Sequence, residues 1–358
     1  ESSDDDDDDG DSSVTTDSSL VDLTIQNCSM GPQAIGRLLG LSERAKNLEK
    51  MHISGISHLP VEAVKNVPND SSENKADTTN LVSVIATLLE CQNVKLKQLT
   101  LARLPSPLDG TPLAESLRRN ETLEELLIPQ NMLGGVSQLM DALETNHTLE
   151  KLDMSQCTFG DSSDDSRWSG LAKSNTLREI NLSQLELSIV SSNNLFMNLG
   201  ENSSLHTLHM THLELDEGVS LGTLFNFLQT NTTLQDLKMD YNVLEKEAFD
   251  NLVSYAVATT TLKSLSLQGC GLTDSMLVAL AARLVDVKSV SSMDLSFNEY
   301  GREGVSALLN CLPENHCIKE IRLYNSAWST HGPINYGCQG YEEENKQIQT
   351  LIKNNANE

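Results

Sequence analysis

His206, His209 and His212 recur at every third residue of one short stretch, a clustering that could ligate a transition metal. An extended segment advances about 3.3 Å per residue, so six residues span roughly 20 Å and one ion cannot hold both His206 and His212. The spacing favours a solvated polar face. Six consecutive aspartates, Asp4 to Asp9, could attract calcium, but they lack the alternating ligand positions and the closing Glu of a calcium loop. No phosphate loop of the form G-x-x-x-x-G-K, no G-x-S-x-G elbow, no H-E-x-x-H and no paired C-x-x-C occurs. The reading is a chain that is not an enzyme, with no cofactor and no metal site.

What remains is the chemistry of contact. Lys238, Asp240, Asp294 and Arg322 supply charge, His209 a polar ring, and Tyr241, Phe297 and Tyr324 aromatic surface in a chain that is only 4% aromatic. Aromatics beside charges are the composition of protein-binding hot spots. These eight residues share a position in the chain's grammar. A leucine-like residue, two variable residues, a leucine, one variable residue and a third leucine recur throughout, most clearly at Leu262-Lys-Ser-Leu265-Ser-Leu267. First positions fall at Leu20, Leu48, Leu96, Leu123, Leu149, Leu177, Leu205, Leu234, Leu262, Val290 and Ile318, spaced by 26 to 29 residues except for 48 between Leu48 and Leu96. Alternate residues of a strand face opposite sides, so the variable residues between and just after the leucines form one surface. Tyr241 and Phe297 occupy the eighth position of their units and Tyr324 the seventh; the competing expectation for Phe297 is a ring turned inward at the strand end.

The phrase, its period and an Asn or Cys at the ninth position (Cys28, Asn131, Cys157, Asn242, Cys270, Asn298) are the leucine-rich repeat signature. With a 28-residue unit and helical returns, the chain resembles the ribonuclease-inhibitor-like class of leucine-rich repeat proteins over about residues 18 to 358. The resemblance implies an α/β solenoid, or horseshoe, of about eleven repeats of about 28 residues, with a parallel sheet on the concave face and helices on the convex face. It implies, by analogy, a scaffold or inhibitor that binds a partner protein on the concave face. Two alternatives stand beside it. Ran-type GTPase-activating proteins look like similar acidic horseshoes, although their acidic tail follows the repeats and here it precedes them. Tropomodulin-like actin-cytoskeleton regulators contain similar repeats, although their actin-binding segments are not recognisable in this chain.

Ile56, Leu104, Leu185 and Leu213 replace the ninth-position Asn or Cys, and at those turns the backbone is expected to rely on water or neighbouring main chain. A second phrase, Asn120-Glu-Thr-Leu123, Asn146-His-Thr-Leu149, Asn175-Thr-Leu177, Asn202-Ser-Ser-Leu205 and Asn231-Thr-Thr-Leu234, reads as a helix stop. Its N-x-S/T sequons follow from that phrase, so glycosylation is not expected. Apolar residues at three and four in Val136–Leu143 and Met276–Leu284 predict the helices.

Seven cysteines, three of them in the Asn/Cys column, read as free structural thiols, which suits a cytoplasmic or nuclear setting. The net charge of −26 disfavours nucleic acid and anionic membranes and suits a protein partner with a basic surface. No apolar run approaches the length of a membrane span, and the chain is expected to be monomeric by itself. Residues 1–17 read as a disordered acidic tail and 18–358 as the repeat domain. Within that domain, 64–80 reads as a loop excursion and 327–358 as a C-terminal cap. A start at Glu1 and no N-terminal cap before Leu20 suggest a fragment or processed product.

Overall fold

The computed structural model describes residues 19–57, with breaks at 31–33, 35–36, 39 and 42–44, then 79–159 and 167–324, and the short pieces 328–329, 332–333, 346–348 and 350–351. The acidic tail lies outside the described residues, as do the excursion up to residue 78 and most of the C-terminal cap. Residues 79–80, assigned to the excursion by sequence, open a helix instead.

One parallel sheet of eleven strands organises the chain: β1 (Asp22–Gln26), β2 (Lys50–Ser54), β3 (Gln98–Ala102), β4 (Glu125–Leu127), β5 (Lys151–Asp153), β6 (Glu179–Asn181), β7 (Thr207–His209), β8 (Asp236–Lys238), β9 (Ser264–Ser266), β10 (Ser292–Asp294) and β11 (Glu320–Arg322). They pair strictly in sequence order, and the register never slips. Leu23, Met51, Leu99, Leu126, Leu152, Ile180, Leu208, Leu237, Leu265, Met293 and Ile321 form a single ladder, each opposite the next. A one-residue slip would turn each of these buried side chains to water, which is why the pattern specifies the pairing.

Helices return the chain between strands: α1 (Thr79–Glu90), α2 (Gly110–Leu117), α3 (Val136–Thr145), α4 (Ser169–Lys173), α5 (Ile189–Glu201), α6 (Leu221–Leu228), α7 (Lys246–Ala258), α8 (Asp274–Leu284) and α9 (Arg302–Cys311). Several begin at polar caps: Asp109 Oδ1 accepts from the Thr111 amide at 2.9 Å, and the Ser188 and Ser220 hydroxyls accept from the Ser191 and Gly222 amides. Strand leucines and helix faces meet in one continuous core. In α4 the neighbourhood is held by Trp168, fully buried, whose Nε1 donates to Ser191 Oγ at 3.1 Å and whose ring stands edge-on to Phe159 with centroids 5.9 Å apart.

Two asparagine ladders tie most units to the one before. At the ninth position the Asn242 amide nitrogen donates to the carbonyls of Met210 and Met239, both at 2.7 Å, and Asn131 and Asn298 do the same one unit back and within their own turn. Where cysteine stands there, the thiol gives a single donation, Cys157 Sγ to the Ile128 carbonyl and Cys270 Sγ to that of Met239. Neighbouring main chain serves the turn carrying Leu185, whose carbonyl accepts from the Glu214 amide at 2.9 Å, whereas the turns carrying Leu104 and Leu213 also use side chains. Their amides donate to the side-chain oxygens of Asn131 and Asn242 in the following unit, at 3.0 and 2.8 Å.

The helix-stop asparagines make the second ladder. Asn120, Asn146, Asn202, Asn231 and Asn315 each donate to a carbonyl of the preceding unit and accept from amides two and three residues on. Ahead of Leu177 the place belongs to Ser174, buried and accepting from the Leu177 amide, whereas Asn175 is exposed. The sequons at Asn120, Asn146 and Asn231 are buried within this ladder.

Candidate functional site

The central residue of each three-residue strand is buried while the two beside it are half-exposed or exposed, Ser266 excepted, so one face of the sheet is open and polar. Its charges are largely tied to one another. Lys151 Nζ meets Glu179 at 2.8 Å, which raises the lysine's pKa, and Asn181 donates to Asp153 at 3.1 Å.

The eight candidate residues fall into two groups. Lys238, Asp294, Arg322 and His209 stand at one strand position on β8, β10, β11 and β7, so they line a single row across the open face. Asp294 and Asp240 work inside the solenoid. Asp294 accepts from the Ser296 amide and from Gln268 Nε2, both at 3.0 Å, and lies 3.8 Å from Arg322, which also pairs with Glu320 at 2.8 Å. Asp240 is not on the strand row but two residues beyond it, where its carboxylate accepts from Ser266 Oγ at 2.6 Å and the Gln268 amide at 2.9 Å. Lys238 is exposed.

Tyr241 and Phe297 are also off the strand row. They sit in the turn that follows, with φ of 57° and 62°, and the same left-handed backbone recurs at Asn27, Arg103, Gln130, Gln156, Gln184 and His212 and at Gly55 and Gly269. Each of these is the eighth residue of its unit. The turn amides reach forward one unit: Tyr241 N donates to the Gln268 carbonyl at 2.6 Å, Gly269 N to that of Ser296 at 3.0 Å, and Phe297 N to that of Tyr324 at 2.6 Å. Side chains on this row cannot enter the core, so the inward-turned alternative for Phe297 does not hold; it is 39% exposed, Tyr241 50% and Tyr324 63%. Val243, which the sequence reading passed over, is 80% exposed beside Tyr241.

Gly269 is the notch in this row. A Cβ there would meet the Tyr241 ring at 2.6 Å, so the tyrosine lies across bare backbone, and Val243 leans toward Gly271 in the same way. Tyr241, Val243, the 269–271 turn, Phe297 and Tyr324 thus form one apolar patch across four adjacent units. Strand spacing of about 4.8 Å makes it roughly 15 Å long.

The histidines do not converge. His206 Nδ1 lies 2.7 Å from the Ser204 carbonyl, His209 is on the open face and His212 is in the turn row. Among the described residues no group of three or more His, Cys, Asp or Glu is arranged to hold a metal ion. Burial, with Lys238 nearby, holds His209 below the ordinary imidazole pKa. The folded state therefore favours the neutral ring. Its contribution is present above the unfolded value and is lost as pH falls through that value toward the folded one. His209→Gln should flatten the slope of stability between pH 7 and 5; an unchanged slope in urea titrations would show that another group carries it.

The described cysteines Cys28, Cys91, Cys157, Cys270, Cys311 and Cys317 are free thiols, and burial pushes Cys157 and Cys270 up to about 12. They are packing residues rather than nucleophiles. Among the described residues no helix is long and apolar enough to cross a membrane.

Comparison with known proteins agrees with this architecture. A family model described as Leucine Rich repeat matches residues 145–163 and 259–281. Ribonuclease inhibitor of Sus scrofa is 32% identical over 104 residues, 28% of this chain and 23% of that protein. Ribonuclease inhibitor of Mus musculus is 29% identical over 126 residues, 35% of this chain and 27% of that protein. The chain spans about a quarter of the length of these curated relatives. Among solved structures, Leiomodin-1 Actin-Binding Site 2 (ABS2) superposes with a TM-score of 0.32 at 12% identity, covering 40% of this chain and 77% of that one.

Proposed function

We propose that this chain, a leucine-rich repeat protein of ribonuclease-inhibitor-like build, is a non-catalytic scaffold that binds a partner protein on the open, concave face of its late repeats. The observation that carries the reading is the patch of Tyr241, Val243, Phe297 and Tyr324, exposed on adjacent units of a rigid parallel frame. Two ladders and an unslipped register hold these side chains in place, so little ordering entropy opposes their use in binding. Beside them Asp240 is held by Ser266 and Gln268, and Asp294 by Gln268, Ser296 and Arg322, while Lys238 and His209 extend the contact along the sheet.

The test compares the protein with a Tyr241→Gln, Phe297→Gln, Tyr324→Ser variant in affinity capture from native lysate. Gln already stands at the eighth position at 130, 156 and 184, and Ser at the seventh at 155, 183 and 296, so the turn accepts both. With circular dichroism unchanged, loss of a stoichiometric partner from the variant is expected. Recovery of the same partner at full yield by the variant would move binding off this face.

A further inference from the structure

The apolar patch is bordered on one side by a predominantly acidic edge, and that edge points to the occupant. Beyond the turn row the chain climbs away from the sheet through Glu214, Asp216, Glu217, Glu245 and Glu299, all exposed. Amide hydrogen bonds set the register between this edge and the turn row at Glu214 and Glu299. His212 N donates to the Asp240 carbonyl at 2.8 Å and Leu213 N to Asn242 Oδ1 at 2.8 Å, so Glu214 runs beside Tyr241 and Val243. Glu299 N donates to the Leu272 carbonyl at 2.9 Å, so Glu299 runs beside Gly271. None of these five acids takes part in a salt bridge among the described residues. The bases along the same edge are Lys246 and Arg302.

We infer that the patch docks an extended, arginine-bearing segment of a partner protein, laid along the turns from Tyr241 to Tyr324; this rests on the binding reading above and adds its chemistry. A guanidinium stacks on the faces of exposed aromatic rings and pairs with carboxylates through its planar fork. Rings on the turn row and carboxylates on the edge that follows it offer the two kinds of contact side by side. A second copy of this chain is a poor occupant, because each copy carries a net charge of −26, and phosphate backbones and anionic lipid are repelled by the same field.

The experiment is fluorescence anisotropy on the full chain with a labelled twelve-residue peptide of alternating Arg and Ala and a Lys counterpart. The Arg peptide should bind more tightly than the Lys peptide. Tyr241→Gln with Phe297→Gln should weaken it about tenfold, and Glu214→Gln with Asp216→Asn and Glu217→Gln should weaken it and flatten its salt dependence. A control that removes the same charge on the other rim of the early repeats, Glu121→Gln, Glu124→Gln and Glu150→Gln, should leave affinity within twofold. Equal weakening by the control, indifference to the aromatic pair, or no binding of the Arg peptide overturns the inference. If the peptide fails while lysate capture is still lost in the aromatic variant, only the cationic chemistry falls. If capture too is unaffected, the docking reading falls with it.

Discussion

Replacing Asn242 by alanine is expected to lower the unfolding free energy by about 2–4 kcal/mol, far more than its single small side chain suggests. The Asn242 amide donates to the Met210 and Met239 carbonyls and its oxygen accepts from the Leu213 amide. Alanine removes all three bonds at a position 4% exposed, where water cannot replace them without opening the turn. Asn242→Cys should cost distinctly less, because the cysteines at 157 and 270 show that one thiol donation suffices at this position. Asn175→Ala, on an exposed residue, is the control and should lie within about 0.5 kcal/mol of the parent. Urea midpoints rank the four proteins, and hydrogen exchange should show the Leu213 amide opening first in Asn242→Ala. If Asn242→Ala and Asn175→Ala unfold together, the ladder does not hold the units.

The strand ladder and this asparagine column were legible because both are imposed by chemistry that a side chain announces. A leucine at three fixed places must be buried, and an Asn or Cys in a buried turn must have backbone to bond. The left-handed eighth position was not legible. Of its ten described occupants, only Asn27, His212, Gly55 and Gly269 are of the types that favour such backbone, while Arg103, the three glutamines, Tyr241 and Phe297 are not. Their conformation is imposed by stacking, through the amide bond that Gln130, Gln156, Gln184, His212, Tyr241 and Phe297 each give to the next unit, and local propensity is overridden. That is why the sequence placed Tyr241 and Phe297 at the end of the strand surface when they stand on the turn beyond it.

The short ribbons between strand and helix, Leu108–Asp109 with Met132–Gly134 and Thr158–Phe159, and Glu186–Leu187 with Glu214–Leu215, left no trace in the sequence either. They exist because stacking brings successive turns to strand distance. The acidic edge beside the aromatic patch begins on the second of these ribbons, at Glu214. Its acids were counted in the net charge, but their alignment beside Tyr241 is a product of stacking. Val243 escaped for a related reason: an apolar residue one place past the buried Asn242 reads as core until the turn direction is known.

Gly170 shows the same limit on the helix side, and its substitution carries the other large effect. A Cβ at Gly170 would fall on the Met140 carbonyl and crowd the Asp141 amide, both main-chain atoms of α3 that no rotamer change can move aside. Gly170→Ala is therefore expected to destabilise the protein by about 2–3 kcal/mol, overpacking outweighing the gain of roughly 1 kcal/mol that alanine brings to a helix. Gly134→Ala is the matched substitution, since nothing lies within 4 Å of its Cβ position, and it should be nearly neutral. A Cβ at Gly200 would likewise lie 2.7 Å from the Phe227 carbonyl oxygen, so the close seating of helix on helix recurs along the stack. Thermal unfolding of the two alanine variants decides the matter. If Gly170→Ala melts with Gly134→Ala, the α3–α4 contact yields without cost, and the rigidity on which the aromatic patch depends must come from the strands and asparagine ladders alone.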